Sequence, residues 1–319
     1  MFPSSIERRA TAAVIAVGLV FLVAACADME VQEPASNAAQ ETASDAVMAP
    51  VFEVDPMWPK PLPNHWILGS AIGVTVDSND NIWIIHRGNG NPSTELGAAQ
   101  DPPVAECCIP APPVLQFSPE GDLLNHWGGP GEGYDWPGSN HGITVDPMGN
   151  LWIGGNGGDD AHILVFAQDG TFLKQFGSPG ARRAESFDEA EPAWTGNSMD
   201  PGNFGRVAKI SFDASANEAY VADGYLNKRV AVLDVETGTL KRYWGAYGNE
   251  PDDADIGRYD PEAPPAQQFR NPVHAADPSN DGLVYVCDRP NNRIQVFRTD
   301  GTFVQEKVLS VNTLGAGST

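Results

Sequence analysis

The sequence predicts an all-β chain built from repeated four-stranded units that stack as the blades of a propeller. Three observations carry this. Trp83, Trp152, Tyr220 and Tyr285 recur at intervals of about 65 to 70 residues, each inside a short run of β-branched and apolar residues. The runs before and after each aromatic keep one order and are separated by turn residues rich in Gly, Asp and Asn. The 33 glycines and 27 prolines among 319 residues suit many short strands. A single four-stranded sheet cannot bury both its faces, so such units must stack on one another.

The strands follow in sequence order. First strands are expected at Gly73–Val76, Gly142–Val145 and Ala208–Ser211, with a looser fourth copy, and turns such as Asp77–Asp80 and Asp146–Gly149 follow them. Second strands are Ile82–Ile85, Leu151–Ile153, Ala219–Val221 and Val284–Val286, and their composition fits a sheet buried on both faces. Third strands are Val114–Phe117, Ile163–Phe166, Val230–Leu233 and Ile294–Phe297, followed by turns that contain Gly121, Gly170, Gly238 and Gly301. Fourth strands such as Phe172–Phe176 close each unit. A β-sandwich would not require the same order of strand, turn and aromatic four times.

In such a stack, the connections that enter first strands and leave second strands emerge on one face around the axis. The long segments 88–113, 178–206 and 246–272 fall at those places and should crowd that face, where a rigid scaffold commonly carries function. His141 and His274 each stand eleven residues before the aromatic of the next second strand, Trp152 and Tyr285. They therefore occupy one structural position, the axial entrance to the first strand, while Ile72 and about Ala208 occupy it in the other two copies. Histidine in alternate blades of a six-bladed ring would let three imidazoles converge on one tetrahedral metal, and two are present. His65, His86, His126 and His162 lack the matched position and read as structural or surface residues.

Arg87 and Arg289 each follow their aligned aromatic by four residues, and Tyr225 follows Tyr220 by five. A metal, two guanidinium groups and a phenol around one channel suit a small anionic or peptide-like substrate that must lose a proton. The sequence leaves open that the arginines pair instead with carboxylates such as Asp288. With 42 acidic against 19 basic residues, a formal charge of -23, and no offsetting basic cluster, nucleic acid is not an expected partner.

Arg8 and Arg9 precede an apolar run, Ala12–Ala25, that suits a signal-peptide core better than a membrane span. It ends at Val23-Ala24-Ala25-Cys26, similar to a bacterial lipobox. The expected organisation is therefore a signal peptide over 1–25, a lipidated Cys26 with a disordered tether over 26–50, and the propeller over 51–319. This implies an exported periplasmic or cell-surface lipoprotein, held to a membrane by its lipid. Of the other cysteines, Cys107 and Cys108 are adjacent in a Pro-rich loop and Cys287 has no evident mate.

The stretches Ile84-Ile85-His86-Arg87-Gly88, Asn140-His141-Gly142-Ile143, Val221-Ala222-Asp223-Gly224-Tyr225, Pro272-Val273-His274 and Asp288–Phe297 make the repeats similar to NHL blades. Taken together and in this order, they resemble peptidyl-α-hydroxyglycine α-amidating lyase over residues from about 67 to 305. The resemblance implies a six-bladed propeller that holds zinc through three axial histidines and splits a peptidyl-α-hydroxyglycine into a peptide amide and glyoxylate. His141 and His274 would be zinc ligands, Arg87 and Tyr225 the catalytic pair, and Arg289 a supporting group near the substrate. Two departures accompany it. Only four blades of the expected six precede Thr319, so the third histidine is not matched, and a weakly held zinc and bare sheet faces at the two ends of the stack are expected. The family's calcium-holding aspartate is unmatched as well, which leaves calcium a lesser candidate than zinc. The alternative is a non-catalytic NHL propeller that binds a protein or another ligand in the cell envelope. A lactonase-like hydrolase would want carboxylate and amide oxygens around an axial calcium, where this chain offers imidazoles.

Overall fold

A computed structural model describes residues 50–184, 193–315 and 317–319. The leader, Cys26 and nearly all of the tether lie outside the described residues. Asp55–Thr319 forms one compact unit.

That unit contains four four-stranded antiparallel sheets, each a meander of strands in sequence order. Blade 1 comprises Ser70–Val76, Ile82–Arg87, Val114–Phe117 and Leu123–Trp127. Blade 2 comprises Asn140–Val145, Leu151–Gly155, His162–Phe166 and Phe172–Gly177. Blade 3 runs through Val207–Asp213, Glu218–Asp223, Arg229–Asp234 and Leu240–Trp244. Blade 4 runs through Val273–Pro278, Leu283–Asp288, Arg293–Arg298 and Phe303–Val308. Every expected strand lies within one of these, and the aligned aromatics pair with equivalent partners: Thr75 with Trp83, Thr144 with Trp152, Ser211 with Tyr220 and Asp277 with Tyr285.

Apolar side chains between successive sheets hold the stack together. Trp83, Ile143 and Phe166 pack between blades 1 and 2, Trp152, Val207 and Leu233 between blades 2 and 3, and Tyr220, Val273 and Phe297 between blades 3 and 4. The Asp of the first turn in blades 1 and 2 anchors the aromatic as well. Asp77 accepts from Trp83 Nε1 and Asp146 from Trp152 Nε1, each at 3.0 Å, so each indole is both buried and satisfied. In blade 3 the Tyr220 hydroxyl gives the same kind of bond to Glu218 at 3.0 Å.

The expectation of two bare end faces holds at one end only. Trp58, Leu62, Trp66 and Leu68 fold across the outer face of blade 1 and cover Leu115 and Phe117, and Trp66–Ile67 pairs in parallel with Ile109–Pro110. At blade 4, Tyr285 on the outward side is 39% exposed, whereas Trp83, Trp152 and Tyr220 are 1% or less.

Each first strand opens with a β-bulge, between Ala71 and Gly73, His141 and Ile143, Val207 and Lys209, and Val273 and Ala275. A bulge turns a side chain out of the pleat, and bulges gather beside functional sites. Here the four bulges sit at the axial entrance, where the two matched histidines stand.

Candidate functional site

The sequence-selected residues converge. Tyr225 Oη lies 3.1 Å from His141 Nε2 and 3.0 Å from His274 Nε2, so one phenol hydroxyl bridges two imidazoles from different blades. Arg289 stands over the Tyr225 ring with its guanidinium carbon 5.8 Å from the centroid, a cation–π contact. Arg87 reaches over from blade 1, its Nε donating to the Asn140 carbonyl at 3.0 Å and its Nη2 to Asn156 Oδ1 at 2.8 Å. Neither Arg87 nor Arg289 forms an ion pair among the described residues. Asp288, the carboxylate next to Arg289, takes Arg293 instead, at 2.8 Å.

Local sequence explains the convergence. Gly224 follows the second strand of blade 3, and a Cβ there would sit 2.0 Å from the Val273 carbonyl oxygen, so only glycine lets this corner close against blade 4 and bring Tyr225 to His274. Gly142 has φ +77, and a Cβ there would press on the Ala208 carbonyl oxygen at 3.2 Å. That oxygen receives His141 Nδ1–H at 2.7 Å. The bond fixes the tautomer, leaving a lone pair on His141 Nε2 that faces Tyr225.

The electrostatics favour neutral imidazoles. Burial first, and then the Arg87 and Arg289 charges, push the His141 pKa down, while its bond to Ala208 opposes them. His274 is pushed to about 4 by burial, with Arg289, His141 and Lys209 adding to the effect. A histidine whose folded pKa lies below its unfolded value is more stable neutral, so folding loses free energy as pH falls through the window from about 6.5 to about 4. In metal-free protein, NMR should place the His274 midpoint near 4, with unfolding free energy declining across that window. A midpoint near 6.5 would contradict the burial of this site.

The donor set fits a metal in part. Neutral imidazoles with Nε2 converging, one held from behind by a carbonyl, are what a zinc site requires. No group of three His, Cys, Asp or Glu suited to a metal occurs among the described residues. The other histidines are engaged elsewhere or distant in role. His86 is buried, accepting from Gly69 N at Nδ1 and facing the Pro112 carbonyl at 3.0 Å. His162 contacts the Asp135 carbonyl, and His126 packs edge-on against Trp66.

Sequence reasoning missed Asn156, whose amide oxygen receives both Arg87 and the Ser139 hydroxyl. The one available signal was its place in the polar run that leaves the second strand of blade 2, the counterpart of the run holding Tyr225. Asn156→Ala should untether the Arg87 guanidinium and weaken binding of an anionic ligand by roughly tenfold, about one charge-assisted hydrogen bond, while unfolding stays within about 1 kcal/mol of wild type. Unchanged affinity would show that Asn140 alone orients Arg87. The long loops adjoin this centre as expected: the Arg206 carbonyl accepts Tyr225 N–H at 3.1 Å, and Asn271 Nδ2 donates to the Gly224 carbonyl at 2.8 Å. Cys107 and Cys108, in the loop that follows Arg87, are joined as a vicinal disulfide, and Cys287 is free.

The NHL repeat model matches residues 279–297. Peptidylglycine alpha-amidating monooxygenase of Rattus norvegicus is 26% identical over 247 residues, covering 75% of this chain and 22% of that protein. Peptidyl-alpha-hydroxyglycine alpha-amidating lyase 1 of Drosophila melanogaster is 27% identical over 262 residues, 77% of this chain and 40% of its own. NHL repeat-containing protein 3 of Mus musculus is 26% identical over 261 residues, 79% of this chain and 58% of its own. The chain thus spans about a fifth to somewhat over half the length of these relatives. A solved streptogramin B lyase aligns with 79% of this chain and 58% of its own at TM-score 0.40 and 14% identity. From its four repeated sheets, its NHL match and its relatives, the chain is an NHL-repeat β-propeller that resembles the peptidyl-α-hydroxyglycine α-amidating lyases.

Proposed function

We propose that this propeller is a zinc-dependent lyase that cleaves the C–N bond of a peptidyl-α-hydroxyglycine and releases glyoxylate. The observation that carries the reading is the single hydroxyl of Tyr225 within hydrogen-bond reach of both matched histidines, on a ring that lies beneath Arg289. His141 and His274 would hold the zinc, which when bound supplies Lewis-acid polarisation of the substrate hydroxyl. Arg87 and Arg289 bind the substrate carboxylate, Arg87 presenting the face left open by Asn140 and Asn156. Tyr225 Oη moves the proton. The substrate hydroxyl gives up its proton, the carbonyl of glyoxylate forms, and the C–N electron pair goes to the amide nitrogen, which takes a proton in return.

The test incubates the chain with a peptidyl-α-hydroxyglycine, with zinc and then with a chelator. Glyoxylate should appear only with zinc and vanish in His141→Ala. No bound zinc and no glyoxylate from wild type would shift the reading to a non-catalytic NHL propeller. Export and lipidation at Cys26 belong to the same proposal. Cys26→Ser should move the protein from the membrane to the soluble fraction, and unchanged processing would refute the anchor.

A further inference from the structure

A cavity of about 690 Å³ opens at Pro290, the residue after Arg289, and is lined by Lys228, Arg258, Arg270 and Asn271, with one carboxylate, Asp255, on its wall. Its position is set by the chain. Pro290 follows Arg289, and Asn271 Nδ2 donates at 2.8 Å both to the Gly224 carbonyl, one residue before Tyr225, and to the Asn227 carbonyl, one residue before Lys228. Chain connectivity and these bonds tie the cavity wall to the segments that carry Tyr225 and Arg289.

Its charge is out of character for the protein. Three of only 19 basic residues meet here in a chain with 42 acidic ones. None of the three forms an ion pair among the described residues. Lys228 is 5% exposed, yet among the described residues its ammonium has only the backbone carbonyls of Asp253 and Ala254 as partners. An ammonium has three N–H donors, so one remains. Arg270 spends Nε on Asn291 Oδ1 at 2.6 Å and Nη1 on the carbonyls of Ile256 and Gly257, which leaves Nη2 with no partner among the described residues. Arg258 is exposed and bonds to nothing among the described residues.

Buried cations are ordinarily paired with carboxylates, because carbonyl dipoles recover only part of their lost hydration. The acids that favour the Lys228 charge are Asp253, Asp252 and Asp255, and those that favour Arg270 are Asp288 and Asp255, of which only Asp255 lines the cavity. Asp253 is engaged by Ser198 and Asp255 by Gly257 N–H. Burial pushes the Lys228 and Arg270 pKa values down despite these acids, the sign of cations short of a close counter-charge.

We propose that this cavity is an anion subsite that receives a carboxylate or phosphate group through Arg258, Arg270 Nη2 and Lys228. The subsite rests on the lyase reading only for what else its ligand touches; for a peptide-like substrate it selects an acidic group near the reacting end. Anion capture itself stands or falls separately.

The test is calorimetric titration of the chain with inorganic phosphate and with matched peptides that carry Glu or Gln. Phosphate or the Glu peptide should bind, and affinity should fall as salt rises from about 20 to about 200 mM. The Gln peptide should bind at least tenfold more weakly than the Glu peptide if the ligand is a carboxylate, whereas phosphate binding alone would identify a phosphate ligand. Arg258→Glu lies on the surface and should leave the melting temperature unchanged while weakening binding by about tenfold or more, the scale of one charge-assisted contact. Lys228→Met, which keeps the buried stem, should act in the same direction. His274→Ala should leave anion binding intact, and a wild-type chain that binds the anion but releases no glyoxylate would remove the lyase reading alone. The subsite is overturned if wild type binds neither phosphate nor the Glu peptide, or if both basic-residue variants bind as wild type does.

Discussion

Tyr225→Phe is expected to lower glyoxylate release by roughly 10² to 10⁴-fold, the usual reach of one positioned acid–base group. The change removes a single oxygen. The ring that supports Arg289 and packs edge-on to His141 remains, with centroids 5.8 Å and 5.0 Å from those neighbours, so folding and anion binding should be unaltered. With the roles proposed above, the hydroxyl acting on the proton and Arg87 and Arg289 holding the carboxylate, the loss should fall on kcat more than on KM. The variant also relieves the two Nε2 atoms of their shared partner, so zinc affinity should be kept or improved. Wild-type turnover in Tyr225→Phe would take the proton-transfer role away from this residue. Lost zinc binding would instead assign the hydroxyl to metal retention.

Much of this could be read before any coordinates, and the limits have physical causes. Strand positions emerged because propeller blades repeat: each second strand must present an aromatic to the next blade, and four copies expose the register of any one. The same register placed His141 and His274 at one structural level, three residues ahead of Thr144 and Asp277, and they do meet. What escaped was everything set by side-chain choice among several polar neighbours. In the sequence Asp288 stood open as a partner for Arg289, its neighbour, yet it takes Arg293. Arg289 lies past the end of the strand, in a short 3-10 turn, while Arg293 stands directly across the ladder from Asp288. Asn156 and the cation cluster around Lys228 were invisible for a related reason, since loop residues carry no period. The cover over blade 1 escaped too, because Trp58, Leu62 and Trp66 lie in a Pro-rich stretch with no strand pattern.

Replacing Asp288 with Ala is expected to cost about 3–5 kcal/mol of folding free energy, because it strands a buried guanidinium. Both groups of the pair are essentially inaccessible, at 0% and 2% side-chain exposure. Asp288 Oδ2 accepts Arg293 Nε and Asn291 Nδ2, both at 2.8 Å, and Oδ1 accepts Arg270 N–H at 3.1 Å. Blade 3 repeats the device: Asp223 Oδ2 takes Arg229 Nε at 2.9 Å and Asn227 Nδ2 at 2.8 Å, and Oδ1 takes Gly205 N–H at 2.6 Å. In both blades one carboxylate joins the end of the second strand, the start of the third and the loop entering the first. The repetition identifies a structural fastener, and it leaves Arg289, the residue after Asp288, free to stand over Tyr225. Loss of the carboxylate should lower the melting temperature by on the order of 10 °C. Asp288→Asn, which keeps hydrogen-bonding capacity and shape, should cost less, and adding Arg293→Met to Asp288→Ala should recover part of the loss by removing the orphaned charge. A cost below about 1 kcal/mol for Asp288→Ala would mean that Tyr247, Glu306 and the Gln268 carbonyl, which also contact Arg293, suffice to hold its charge.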